Sequence, residues 1–461
     1  MRSLTIVVLL CLLFTGCMVG PNYHRPAVDV PPAYRGETSA QQEKQITLSL
    51  GDQKWWEVFR DPVLRQLIQT ALKQNYNLQI AASRVLQAQQ QLVATRADEF
   101  PNFSAIAQYL SEKIPGLFTF GAFELGGSAS WTIDFWGRYR RATEAARASL
   151  LESEWSQKAV ASTLVSDVAS SYFQLRALDL ELKIAQDTLA ARQQSLQLTN
   201  TLYKGGADTL LDVREAEQLV ETAAALIPDL ERQIEQQENA LSILLGENPT
   251  NIPRGQSLEE QLLPEPEAIP AGLPSSLLER RPDIRAQEQA LIAANANIGA
   301  AKAALFPAIS LTGTGGFESR SLAHLISSNS TGWTASAGAT QPIFNAGALR
   351  AEVKITQAQQ QQALLSYKQT IQTAFEEVSN ALVAYRKYRE YAEHEAKLVA
   401  AARDAVHLSQ LRFQAGATSY LEVLTNNASY LADELALVAA QLNERLALVQ
   451  LYNALGGGWQ Q

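Results

Sequence analysis

The chain is poor in the residues that most often carry chemistry. Its 461 residues include 2 Cys, 4 His and 2 Met. Two cysteines exclude a disulfide framework and a multi-thiolate zinc site, and the histidines (His24, His324, His394 and His407) form no HExxH pair. Positive charge is not in excess: 38 Lys and Arg against 47 Asp and Glu give a net charge of −9. Neutralising phosphates requires clustered Lys and Arg, so no nucleic-acid partner is expected. There is no GxxxxGK phosphate loop, no GxSxG nucleophile turn and no GxGxxG; Gly313-Thr314-Gly315-Gly316 lacks that spacing and lies in an alternating pattern. An enzyme is therefore not expected. At about 150 residues per domain, the length allows two to three ordinary domains or one large repeated one.

Long hydrophobic runs are missing too. Arg2 is followed by the run Leu4 to Leu13 and then by Phe14-Thr15-Gly16-Cys17. Ten such residues make about 15 Å of helix, half a bilayer, so the run reads as a signal-peptide core and not a membrane span. Residues 1–16 are expected to be removed. The small residues before Cys17 resemble the bacterial lipoprotein signal, in which that cysteine is lipidated and becomes the new N-terminus; Phe14 stands where Leu is more usual. Ordinary secretory cleavage, with Cys17 an unmodified thiol, is the alternative. Cys11 leaves with the signal, so Cys17 has no disulfide partner and reads as an anchor, firm if multiply acylated.

What the chain has in quantity is helix-forming sequence without breaks. Residues 116–227 contain no Pro, nor does anything after Pro342, whereas nine of the 17 prolines fall between Pro228 and Pro307. Arg138 to Lys204 and Ala348 to Ala415, rich in Ala, Gln, Leu, Glu and Arg and free of internal Gly, each predict a helix of roughly 100 Å. Apolar residues recur at three- and four-residue spacings, as in Leu175, Leu178, Leu182 and Leu189, or Leu382, Tyr385, Tyr388 and Tyr391. Small apolar residues on a drifting stripe suit an extended array of packed helices better than a compact bundle.

The pattern occurs twice. Tyr203-Lys204-Gly205-Gly206-Ala207-Asp208-Thr209-Leu210-Leu211-Asp212-Val213 matches Phe413-Gln414-Ala415-Gly416-Ala417-Thr418-Ser419-Tyr420-Leu421-Glu422-Val423, and Phe100-Pro101 matches Phe306-Pro307. Each copy predicts strands, a long helix, a glycine turn and a returning helix. Gly206 and Gly416 are placed where the left-handed conformation of a helix end is needed.

Between Phe-Pro and long helix lie alternating segments. Phe123, Leu125, Gly127, Ala129, Trp131, Ile133 and Phe135 alternate with Glu124, Gly126, Ser128, Ser130, Thr132 and Asp134, a period of two. Similar segments run from Phe103 to Tyr109, Ile309 to Phe317 and Trp333 to Ile343, with turns expected near 111–121 and 318–332. About ten residues suits a tilted membrane-spanning strand, but four strands cannot close in lipid, so a spanning chain must assemble with copies of itself. Two copies give eight strands and a filled interior; three give twelve and a lumen. A sheet packed on a soluble core gives the same alternation.

Several stretches resemble the outer-membrane efflux factor family, the TolC-like proteins, in its lipoprotein branch. Cys17-Met18-Val19-Gly20-Pro21-Asn22-Tyr23-His24-Arg25-Pro26 looks like that branch's mature N-terminus, with Asn22 where Asp is common. Trp55-Trp56-Glu57-Val58-Phe59-Arg60-Asp61-Pro62 is similar to its first helix entry, and the most specific match is Gly272-Leu273-Pro274 through Glu279-Arg280-Arg281-Pro282-Asp283-Ile284-Arg285, followed by Gln341-Pro342-Ile343-Phe344. Arg281-Pro282-Asp283 itself reads as a helix start with a structural role.

The resemblance implies an α+β membrane protein: a homotrimer in which four strands per chain form a twelve-stranded barrel in outer-membrane lipid, continued by a long α-helical periplasmic barrel. It implies an exit duct of a tripartite efflux system, partnered by a periplasmic adaptor and an inner-membrane RND-type pump, with no cofactor beyond covalent lipid on Cys17. The helix tips that would meet the adaptor are Gly206, Ala207 and Asp208, with Gly416, Ala417 and Thr418. Of the family's closing rings, Leu421 matches the apolar position, but Thr425 stands where an acid is usual; Asp212, Glu215 or Glu422 are candidates for that charge, or lie on a solvated helix face. The expected division is a signal at 1–16, an anchored segment at 17–60, a first repeat at 61–248, a linker at 249–271 and a second repeat at 272–461. A lipid-anchored periplasmic structural coiled coil is the second reading.

Overall fold

A computed structural model of the chain describes residues 18–36, 49–116, 118–261, 263–264 and 269–460. The signal sequence and Cys17 lie outside the described residues. The elements in chain order are helices α1 (Trp55–Val58), α2 (Pro62–Gln74) and α3 (Tyr76–Ala97); strands β1 (Asn102–Ile114) and β2 (Phe118–Ile133); helices α4 (Arg138–Lys204), α5 (Leu210–Leu245), α6 (Pro274–Arg280) and α7 (Pro282–Ala303); strands β3 (Ala308–Ser319) and β4 (Thr331–Thr340); and helices α8 (Ala348–Gln414) and α9 (Tyr420–Ala454). The two helices expected to be long are each 67 residues, about 100 Å. No described helix is long and apolar enough to cross a membrane.

Contacts divide the chain into two units, one holding Met1–Val28, Ser83–Trp155 and Arg285–Thr370, the other Asp29–Ala82, Ser156–Ile284 and Ile371–Gln461. The first contains the antiparallel sheet, in the order β1-β2-β3-β4. Its register puts Phe103 across from Ala129, Ala129 from Gly313 and Gly313 from Ala335. One face therefore carries Phe103, Tyr109, Phe123, Leu125, Trp131, Leu311, Phe317 and Trp333, and the other is mostly Ser, Thr, Gln and Glu, with Ile106, Leu110 and Phe120 among them. On the polar face, hydroxyl pairs bridge β3 and β4 at 2.7 Å, Thr312 with Ser336 and Thr314 with Thr334.

The structure corrects three sequence expectations. The alternation of β2 continues in sequence to Phe135, but the strand stops at Ile133 because Asp134 turns to cap α4, accepting from the backbone N–H of Tyr139 (3.2 Å) and Arg140 (2.9 Å). Likewise β4 ends at Thr340 and not Ile343, where Pro342 has no N–H to give a ladder. The first hairpin is also tighter than expected, since β1 and β2 pair through Ile114 and Phe118.

The same unit holds the N-terminal segment. Val19 N–H donates to Trp136 O (3.1 Å), and the buried Arg141 guanidinium donates to Val19 O (3.3 Å) and to Asn22 Oδ1 (2.8 Å). Gly20, at φ +106°, lies so close to α7 that a Cβ there would come within 2.4 Å of Gly299 Cα. Farther along, Arg25 pairs with the buried Glu288 (3.0 Å), which Arg285 also reaches at 3.2 Å. Ala145 and Ala148 of α4 pack against Ala293 and Ala296 of α7, small residues that let helices approach closely.

The second unit is organised by buried polar hubs. Asp61 caps α2 through Val63 N–H (2.8 Å) and also accepts from Tyr172 (2.8 Å), Gln256 N–H and Gln261 (both 3.0 Å). This explains the Arg60-Asp61-Pro62 signature: Pro at the first helical position has no N–H to satisfy, and Asp serves those that remain. Pro228 sits inside α5 without ending it, although interior proline costs roughly 3 kcal/mol. The buried face of Val220, Ala223, Leu230 and Ile234 offsets that cost. Of the expected tyrosine stripe on α8, Leu382 and Tyr385 are buried, whereas Tyr388 and Tyr391 face outward.

Candidate functional site

The helix reversals come first. At the end of α4, Gly206 adopts φ +77°, Gly206 N–H donates to Tyr203 O (3.0 Å) and Ala207 N–H to Leu202 O (2.9 Å). At the end of α8, Gly416 adopts φ +68°, Gly416 N–H donates to Phe413 O (2.9 Å) and Ala417 N–H to Arg412 O (2.8 Å). Both are Schellman turns, which satisfy the last carbonyls of a helix and send the chain back. A Cβ on either glycine would touch nothing within 4 Å, so these turns are open at the surface.

Just behind the turns the two hairpins pack together. Ala216, Tyr420 and Val423 form a buried cluster with Leu196 and Phe413, drawing on α4, α5, α8 and α9. Tyr420 meets the Phe413 ring at 5.2 Å in an edge-on arrangement. The sequence residues named for the turns and for closure are thus brought to one end of this helical unit. Leu421 is 56 % exposed, and Thr425, one turn along, spends its hydroxyl on Leu421 O (2.9 Å).

The candidate acids differ in their engagement. Asp212 closes a capping box with Thr209, receiving its backbone N–H at 3.0 Å and its hydroxyl at 2.5 Å. Glu422 accepts from Thr418 and from Arg412, the latter at 3.1 Å. Asp208 has a buried, unpartnered Oδ2, and burial together with the Asp212 charge raises its pKa from the ordinary value.

Two charged residues, Arg192 and the motif residue Arg281, hold partners that the sequence does not show. Arg192, only 4 % exposed, donates to Leu219 O (2.8 Å) and Asn427 O (3.3 Å), pinning α4 to α5 and α9, and burial lowers its pKa. Arg281 of the Arg-Pro-Asp signature donates twice to Asp283 (2.9 and 2.6 Å), to Glu377 (2.5 Å) and to Ala454 O (3.2 Å). It borders a cavity of about 470 Å³ lined also by Ser162, Thr163 and Asn453. With every guanidinium nitrogen engaged, Arg281 serves as a junction between α6, α7, α8 and α9. Spacing could not reveal either role, because the partners are distant in sequence.

A sheet with one apolar and one polar face, joined in one chain to paired long helices, describes a class of membrane duct proteins. The chain belongs to the outer membrane efflux protein family, whose model matches residues 67–247 and again 273–457. It is 34 % identical over 470 residues to the probable efflux pump outer membrane protein TtgC of Pseudomonas putida, spanning 100 % of this chain and 96 % of that one. It is 36 % identical over 454 residues to the cation efflux system protein CusC of Escherichia coli, spanning 98 % and 97 %. Among solved structures, the open-state MtrE outer membrane channel of Neisseria gonorrhoeae superposes with a TM-score of 0.88 at 33 % identity, covering 96 % of this chain and 99 % of that one. These relatives are transport proteins rather than enzymes, and the chain, like them, is an outer-membrane protein extending into the periplasm.

Proposed function

We propose that the protein is the outer-membrane exit duct of a tripartite efflux pump, passively conducting small molecules from periplasm to exterior. The observation that carries this is the two-faced sheet with its two open edges. In lipid those edges need partners, and three copies would close a twelve-stranded barrel, apolar outside and lined mostly by Ser, Thr, Gln and Glu within. The paired long helices, contributed by each copy, would continue it as the periplasmic barrel.

In this reading residues 61–248 and 272–461 act as two repeats joined by 249–271, after an anchored segment at 17–60. Cys17 would carry the lipid. The next residue, Met18, lies against Gly137 just past β2, which supports an anchor at the end of the sheet. The turns at Gly206, Ala207 and Asp208, and at Gly416, Ala417 and Thr418, would dock a periplasmic adaptor driven by an RND-type pump. Leu421 would supply the apolar ring of the closed end, with Asp212 or Glu422 supplying charge in place of Thr425. Substrate choice belongs to the pump, since a duct is shaped only for passage.

The subunit count of the detergent-extracted protein, by light scattering corrected for bound detergent, tests this directly. Three copies are expected; a stable monomer would leave the strands unable to close and favour an anchored periplasmic coiled coil. Replacing Gly206 or Gly416 by a bulky residue is expected to abolish efflux while trimers persist. Loss of the trimer would mean the turns serve folding and not docking.

A further inference from the structure

The two open edges also constrain how copies can join, a deduction that rests on the trimer reading above. We propose that β4 of one copy pairs antiparallel with β1 of the next so that Ala335 lies opposite Ala107 or Tyr109 of the partner subunit. Crossing the sheet at right angles, Phe103 leads through Ala129 and Gly313 to Ala335. A barrel without stagger would therefore set Ala335 opposite Phe103 of the partner subunit.

Three constraints move the register away from that point. The first is facing. Phe103, Ala105, Ala107 and Tyr109 share the apolar face with Trp333, Ala335, Ala337 and Ala339, so an odd shift would set lipid-facing residues opposite lumen-facing ones. Only even shifts survive. The second is overlap. With no shift, the last four residues of β4 run past the start of β1 at Asn102, and shifts toward lower β1 numbers leave more of the strand bare. A shift of two still strands Ala339 and Thr340. A shift of four sets Thr340 opposite Asn102, and a shift of six sets Thr331 opposite Lys113; both pair all of β4 within β1. A shift of eight carries Thr331 past Ile114 to Pro115, which has no N–H.

The third constraint is tilt, and it is independent of the other two. With about 3.4 Å per residue and about 4.8 Å between strands, shifts of two, four, six and eight over four strands tilt them by roughly 20°, 35°, 47° and 55°. Closed barrels sit at about 35–45°. Overlap and tilt select the same two shifts. The side chains suit them: the smaller shift sets Trp333 opposite Tyr109 and Thr334 opposite Gln108, and the larger sets Ser336 opposite Gln108 and Thr340 opposite Ser104, cross-strand pairs of like polarity.

The test is a set of double-cysteine variants of the full-length protein in outer membranes, joining A335C in turn to A105C, A107C, Y109C and S111C, with each single variant as a control for Cys17. A disulfide needs Cα atoms about 4.4–6.8 Å apart, so only directly opposed pairs should cross-link well. After mild oxidation, covalent chain-to-chain species are expected to form severalfold more with A107C or Y109C than with A105C or S111C. A maximum at A105C or S111C, or no cross-link at any pair in a protein that extracts as a trimer, overturns the register and leaves the trimer standing. No cross-link together with extraction as a monomer removes the trimer reading and the register with it.

Discussion

Gly206 and Gly416 hold the same left-handed conformation, each followed by an alanine whose N–H reaches five residues back. The side chains around them are wired differently. In the first turn, Thr209 and Asp212 cap each other, and Asp208 has a buried oxygen without a partner. In the second, Ser419 makes no side-chain cap, while Glu422 reaches back to Thr418 and across the turn to Arg412. Backbone geometry alone reverses a helix, so what hangs on the turn is free to diverge. The first turn is stabilised within its own returning helix, and the second by a contact tying that helix to the end of the one before.

The sharpest contrast is one position into the returning helices. Leu210 opens α5 at 50 % exposure, whereas its counterpart Tyr420 opens α9 at 2 %, inserted among Ala216, Val423, Leu196 and Phe413. Tyr420→Ala is therefore expected to cost about 3 kcal/mol, the range for emptying a large buried aromatic site, and Leu210→Ala less than about 0.5 kcal/mol. Thermal unfolding followed by helical circular dichroism on the detergent-extracted protein measures both. Equal losses would mean that assembly buries Leu210 as deeply as Tyr420 and that the two turns are alike in the working protein.

A smaller difference lies in the caps. Thr209→Ala removes the hydroxyl that serves Asp212 N–H and is expected to cost about 1 kcal/mol, whereas Ser419→Ala removes a hydroxyl that caps nothing and should be nearly silent. Amide hydrogen exchange at the first turns of α5 and α9 resolves this better than a global melt, because a lost cap frays one turn before it unfolds a helix. Faster exchange at both helix starts would show that Ser419 caps in solution.

How far the sequence could carry this differs by element. The long helices were legible nearly to the residue, because uninterrupted helix formers end at glycine and nothing else competes. The sheet was legible in face and strand number, but not in its ends: alternation persists through Asp134 and Gln341 although the backbone has already turned. The turns were legible as turns, and the cross-repeat match placed Gly206 and Gly416 together. Hidden from it was the engagement of the acids, since Asp212 and Glu422 look equivalent by register, and their partners depend on whether Thr209 or Arg412 swings into reach. Arg192 and Asp61 were hidden for the same reason, as their partners lie on other helices.

The last contrast is one of charge. Asp208 occupies the position that Thr418 fills in the second turn, and its pKa is raised, first by burial and then by the Asp212 charge. A carboxyl whose folded-state pKa lies above its unfolded value is more willing to hold a proton in the fold than out of it. Its stabilising contribution is therefore complete at acid pH and is lost as pH rises through the folded value, leaving an uncompensated charge at neutrality. Asp208→Thr, which makes the first turn resemble the second, should then raise the melting temperature slightly near neutral pH and leave it unchanged in acid. Because Asp208 is only partly buried, at a turn open to water, screening keeps the gain within about 0.5 kcal/mol. A gain that persisted undiminished at acid pH would assign the difference to the packing of threonine. A loss at neutral pH would mean that the charge is engaged by a partner supplied on assembly, making the first turn the one specialised for docking.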